Sequence, residues 1–104
     1  MNYEIESIPV FDKQVKKYPS LKNDLAKLFE ALADTPEQGT ALGNNFYKIR
    51  LAITSKGKGK SGGARIITFL KFSLTTVYLT AIYDKSEKSS ISNKELEQIF
   101  KLIP

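Results

Sequence analysis

At 104 residues, 41% hydrophobic and 26% charged, the chain has the size and balance of a single globular domain with a modest core. It has no cysteine and no histidine, so disulfide and thiolate chemistry are excluded, and the commonest general base and metal ligand is missing as well. The formal charge of +5 is concentrated: residues 38–83 contain no carboxylate but hold Lys48, Arg50, Lys56, Lys58, Lys60, Arg65 and Lys71. A separation of this kind makes a local positive field suited to a polyanion such as RNA.

Taken in chain order, residues 3–8 alternate β-branched and aromatic side chains and predict a strand. Pro9 opens a helix with Phe11, Val15 and Tyr18 on one face, and Pro19 stops it. Ser20 is the expected N-cap of a second helix, whose Leu21, Leu25, Leu28, Phe29 and Leu32 form an apolar stripe. The short connection predicts an antiparallel helical hairpin. Asp34-Thr-Pro closes that helix, and residues 37–45 read as a turn-rich loop.

Strands are expected at 46–53, 64–72 and 76–83, with a tight hairpin at Ser73-Leu-Thr. In the first, Tyr47, Ile49, Leu51 and Ile53 should share one face, with Lys48 and Arg50 on the other. After a polar stretch at 84–90, Ser92-Asn-Lys-Glu95 is a capping box. It opens a last helix with Leu96, Ile99, Phe100 and Ile103 on one face. Strands following helices predict an α+β fold: an N-terminal strand, a helical hairpin, an antiparallel sheet of about four strands, and a C-terminal helix. One domain over residues 1–104 is expected, with no repeat or linker.

No apolar run is long enough to span a bilayer, and residues 1–6 lack the pattern of a secretory signal. A cytoplasmic protein without membrane contact is the expectation. Glu4 and Glu6 fall at strand spacing, unlike a zinc or calcium site, so neither metal nor cofactor is implied.

The loop at 55–63 contains Gly59-Lys60-Ser61, part of a nucleotide phosphate loop. The pattern needs a glycine where Thr54 stands and a helix where Gly62-Gly63 lead into a strand, so nucleotide hydrolysis is not indicated. A basic loop alone is usually a solvated surface segment. Here Lys48 and Arg50 share a strand face beside it and Arg65 begins the next strand, which favours phosphate binding. Phe46, Phe69, Tyr78 and Tyr83 offer rings for stacking on unpaired bases, although strand aromatics are more often core. Tyr83 stands apart because it ends its strand beside Asp84 and Lys85.

Lys48-Ile-Arg50, the glycine–lysine loop closed by Gly-Gly-Ala-Arg65, and Ile82-Tyr83-Asp-Lys85 together resemble the RelE/ParE superfamily of bacterial toxins, in particular its HigB-like branch. The resemblance covers nearly the whole chain. It implies a toxin of a type II toxin–antitoxin system, a ribosome-dependent mRNA endoribonuclease in which the RNA 2′-hydroxyl attacks its own phosphate. Carried over by position, Arg65 would stabilise the phosphorane. Lys48 and Arg50 would grip the backbone, one of them aiding proton transfer. Tyr83 would stack on or orient the nucleotide, and Lys85 would hold the leaving side. Lys56, Lys58, Lys60 and Lys71 would bind RNA. The implied partners are the ribosome, mRNA and a cognate antitoxin of helix-turn-helix type, with operator DNA reached only through that antitoxin. A gyrase poison of the same fold and a non-catalytic RNA- or antitoxin-binding relic are the alternatives.

Overall fold

A computed structural model describes residues 2–52 and 63–104. Five strands, β1 (Glu4–Ser7), β2 (Thr40–Gly43), β3 (Phe46–Leu51), β4 (Ala64–Lys71) and β5 (Thr76–Asp84), form one sheet in the order β1-β5-β4-β3-β2. The helices are α1 (Pro9–Val15), α2 (Lys22–Asp34) and α3 (Asn93–Phe100). The α+β class and the element order agree with the sequence reading. The sheet is mixed, however, because β1 pairs with β5 in parallel while the other pairings are antiparallel.

The central strands β4 and β5 are buried along nearly their whole length. This follows from their position, with neighbours on both edges and helices over both faces, and explains their nearly continuous Ile, Leu, Val and Tyr content. In α2 the stripe Leu25, Leu28 and Leu32 is buried, as its spacing predicts. Ser20, expected to cap that helix, instead lies in a 3-10 turn at Pro19–Leu21, and Leu21 takes the N-cap position. Tyr18 falls beyond the end of α1 and is buried in the connection between the helices.

The expected loop at 37–45 contains β2. Asn44 and Asn45 both have positive φ, 51° and 69°, and close a two-residue hairpin into β3. Positive φ at both central positions matches the right-handed strand twist, and asparagine tolerates it well. Gly43-Asn44-Asn45 was the signal for this turn. Gly39, just before β2, has φ +90°, and a Cβ there would lie 2.2 Å from the Lys48 carbonyl oxygen. Only glycine allows the chain to pass so close to β3.

At the same end of the sheet, a 3-10 turn at Phe72–Leu74 joins β4 to β5, with Thr75 in the left-handed region at φ 46°. The capping box of α3 is complete: the Glu95 amide donates to Ser92 Oγ at 3.1 Å, and the Ser92 amide donates to Glu95 Oε1 at 3.1 Å. Leu96 and Ile99 are buried, whereas Phe100, expected on the same buried face, remains 55% exposed at the last position of the helix.

Candidate functional site: a cationic row across three strands

Strand register builds the site. Arg50 of β3 lies opposite Arg65 of β4, and Arg65 lies opposite Tyr83 of β5, forming one row across three strands. Lys48 stands two residues from Arg50 and therefore shares its face. The expected separation of Lys48 and Arg50 from Tyr47, Ile49 and Leu51 follows from the same register.

A bulge refines this face. Ile67 pairs with Ala81 but Thr68 pairs with Leu79, so Thr80 is the extra residue of β5. Its Oγ1 donates to the Ile67 carbonyl at 2.9 Å, which holds the bulge closed. Tyr78, opposite Phe69, and Tyr83, opposite Arg65, thereby share a face despite their odd separation. A one-residue slip would turn Tyr83 to the opposite side.

Arg65 is only 3% exposed, and one of its guanidinium nitrogens, Nη1, donates to the Ala64 carbonyl at 3.2 Å. Tyr83 is 8% exposed, and its hydroxyl has no hydrogen-bond partner among the described residues. Burial raises the Tyr83 pKa and the nearby Arg65 charge lowers it, with burial the larger influence. The phenol thus stays protonated at neutral pH and is a donor without an acceptor among the described residues. The Lys88 ammonium lies 5.6 Å from the centre of the Tyr83 ring and is ion-paired with Glu95. The sequence reading had passed over Lys88; its position just past Tyr83 and Lys85 was the available clue.

Asp84 stands in sequence between Tyr83 and Lys85, but its side chain is 1% exposed. It accepts from the Ser86 amide at 2.9 Å and the Ser86 hydroxyl at 2.8 Å, turning the chain at the end of β5. Tyr18 donates to Glu87 at 3.2 Å, and burial followed by the Glu87 charge raises the Tyr18 pKa. These contacts fix the start of the segment between β5 and α3. Lys85 is exposed there, with its amide bonded to the Gly63 carbonyl at 3.0 Å.

Arg50 is exposed and Lys48 half-buried. Both line an open cleft of about 720 Å³ between β3 and α2, together with Lys27, Asp24, Gln38 and Thr40. A larger cleft, about 990 Å³, lies between α3 and the β2–β3 hairpin, walled by Leu42, Phe46, Phe69, Leu96 and Phe100. It holds neither Arg50, Arg65 nor Tyr83, so the larger cavity and the cationic row are separate places.

The structure thus brings Lys48, Arg50, Arg65 and Tyr83 together, with Lys85 just beyond the end of β5. Lys71 is at the far end of β4, roughly 20 Å from Arg65 at strand rise, and its Nζ donates to the main-chain oxygen of Pro104 at 2.6 Å. Lys56, Lys58 and Lys60 lie outside the described residues, as do Ile53 and the Gly59-Lys60-Ser61 sequence. Phe46, Phe69, Tyr78 and Tyr83 are all core residues, so each of the four rings considered for base stacking is occupied by packing. Among the described residues no group of three or more carboxylates gathers to hold a metal ion, and no helix is long and apolar enough to cross a membrane.

Together, the mixed sheet and the basic row across β3, β4 and β5 define a small α+β domain with clustered cations on one sheet face. The model of the RelE toxin of the RelE/RelB toxin–antitoxin system matches residues 9–103, and the chain belongs to this family of type II system toxins. Among solved structures, it is similar to a double-arginine mutant of the E. coli toxin RelE in the free state, with TM-score 0.65 and 15% identity over 100% of both chains. The intact E. coli RelBE toxin–antitoxin complex gives TM-score 0.64 at 17% identity, covering 79% of this chain and 95% of that one. The RelBE2 complex of Mycobacterium tuberculosis gives 0.59 at 14%, covering 81% and 92%. At these identities the structural likeness establishes the fold.

Proposed function

We propose that this toxin is a metal-independent endoribonuclease that cleaves mRNA on the ribosome, acting as one RelE-like domain over residues 1–104 in the cytoplasm. The observation that carries the reading is the Arg50–Arg65–Tyr83 row, set on a family toxin fold and ending in a buried hydroxyl without a partner among the described residues. Such a site needs no histidine, because the nucleophile belongs to the substrate. The RNA 2′-oxygen forms a bond to phosphorus, the bond to the 5′-oxygen breaks, and a cyclic phosphate remains. One proton leaves the 2′-hydroxyl and one reaches the departing 5′-oxygen.

The protein aligns these atoms and balances charge on the phosphorane. Arg65, withdrawn from bulk water, exerts a stronger field on a phosphate than an exposed arginine would. Substrate binding must uncover it. Tyr83 offers its hydroxyl to a phosphate oxygen, and Lys48 and Arg50 hold the neighbouring backbone, one of them assisting proton transfer. Lys85 is placed toward the leaving side. Lys56, Lys58 and Lys60 contribute RNA contacts from the basic loop, while Lys71 adds only to the long-range positive field. The Gly-Gly-Ala-Arg65 ending of that loop supports assignment to the HigB-like branch.

The RelE structures solved with the antitoxin RelB support a cognate antitoxin as the neutralising partner. Mapping transcript 5′ ends after brief induction tests the reading. Ends inside translated codons should accumulate with the native chain and disappear with Arg65→Ala. DNA damage with translation initially continuing would instead indicate a gyrase poison, and intact transcripts in a translating extract a non-catalytic binder.

A further inference from the structure

We infer that Lys88 is a further RNA-phosphate contact of the Arg65–Tyr83 site, held ready by Glu95, whose carboxylate occupies the place of a substrate phosphate. The inference rests on the RNA reading proposed above and adds a residue that neither the strand pattern nor the basic loop supplies. Lys88 is the cation over Tyr83, the ring that ends the Arg50–Arg65–Tyr83 row and whose hydroxyl has no partner among the described residues. Its side chain is 37% exposed, so it borders both the buried site and solvent.

Glu95 divides its two oxygens. Oε1 accepts from the Ser92 amide and completes the capping box, while Oε2 faces Lys88. The capping oxygen is fixed by the helix, which places the second oxygen, and with it the ammonium, beside Tyr83. Tyr18, bonded to Glu87, secures the residue just before Lys88. A lysine released from such a half-exposed pair costs little, since solvent screens the attraction and ordering two long side chains offsets much of what remains. An incoming phosphate can therefore take the ammonium from Glu95, leaving Glu95 still capping α3.

The test is salt-dependent binding of a short single-stranded RNA, 2′-O-methylated to prevent cleavage, to the full chain and three variants. Lys88→Met keeps the apolar stem over Tyr83 and removes the charge; it should weaken binding and flatten the slope of log affinity against log salt by about 0.7, the value for one phosphate contact on a single strand. Glu95→Gln keeps the capping box, since glutamine serves at that position, and frees the ammonium; it should tighten binding. Lys94→Met, one residue from Glu95 at the exposed start of α3, removes the same charge and should leave the slope unchanged.

An unchanged slope in Lys88→Met, or an equal loss in Lys94→Met, would overturn the inference. So would faster message cleavage by Lys88→Met in a translating extract, which would make Lys88 a cover over Tyr83. Failure of the native chain to cleave messages in that extract would sink the proposed activity, while the binding slopes would still judge Lys88.

Discussion

One face of β3, β4 and β5 is used in two ways. At the β2–β3 hairpin end, Phe46 and Phe69 approach at 5.0 Å between ring centres, and Phe100 of α3 meets Phe69 edge-on at 5.6 Å. Four residues along β3 and β4, the same face carries Arg50, Arg65 and Tyr83, with a guanidinium and a hydroxyl in places that packing alone would fill with methyl groups. The aromatic end gains from burying apolar area. The cationic end tolerates desolvated polar groups that contribute little to stability, a pattern expected where a site trades stability for chemistry. Changes at the two ends should therefore have opposite consequences.

The largest effect should come from Phe69→Ala, which removes a ring packed between Phe46 and Phe100. A loss of about 3–5 kcal/mol is expected from denaturant unfolding, with the specific activity of the folded fraction retained. A stable Phe69→Ala protein without activity would break the division. Next, Arg65→Ala should lower message cleavage by about 10²–10³-fold, as for loss of one preorganised charge-stabilising donor, with the helical and strand signal of the fold preserved. Arg65→Lys should not restore activity, because a point charge does not replace a planar fork.

The smallest and most diagnostic change is Tyr83→Phe. Deleting a buried hydroxyl that lacks a partner among the described residues should stabilise the protein by about 1 kcal/mol while slowing cleavage by about tenfold. The same variant carries a pH signature. Because the Tyr83 pKa is raised in the folded state, its contribution is fully present below the unfolded value of 10.0 and is lost as pH rises through the folded value. Stability of the native chain should fall above pH 10, and Tyr83→Phe should flatten that fall, leaving the share due to Tyr18, whose pKa is also raised.

Much of this was written in local patterns. The apolar stripe of α2, the Ser92–Glu95 box and the alternation that put Lys48 and Arg50 on one face all depend on neighbours within a few residues, and each is present. Less legible were elements set by distant chain. The strand β2 has little strand composition of its own and exists because Asn44-Asn45 fold it back on β3. β1 joins the sheet in parallel, across a gap in sequence that no local pattern spans. Phe100 looked like core by its spacing but falls where α3 runs out.

For the site, sequence alone determined the charge: seven cations and no carboxylate between residues 38 and 83, with no histidine or cysteine anywhere to do the chemistry. Tertiary structure decided which of those cations act together. Strand register set Arg50, Arg65 and Tyr83 in one row and left Lys71 at the opposite end of the sheet, and the bulge at Thr80 fixed the face that Tyr83 presents. The helix cap aimed Glu95 at a lysine from outside the basic stretch. Charge is a property of residues and can be counted along the chain, whereas a field at a phosphate depends on distance and on exclusion of water, which only packing provides.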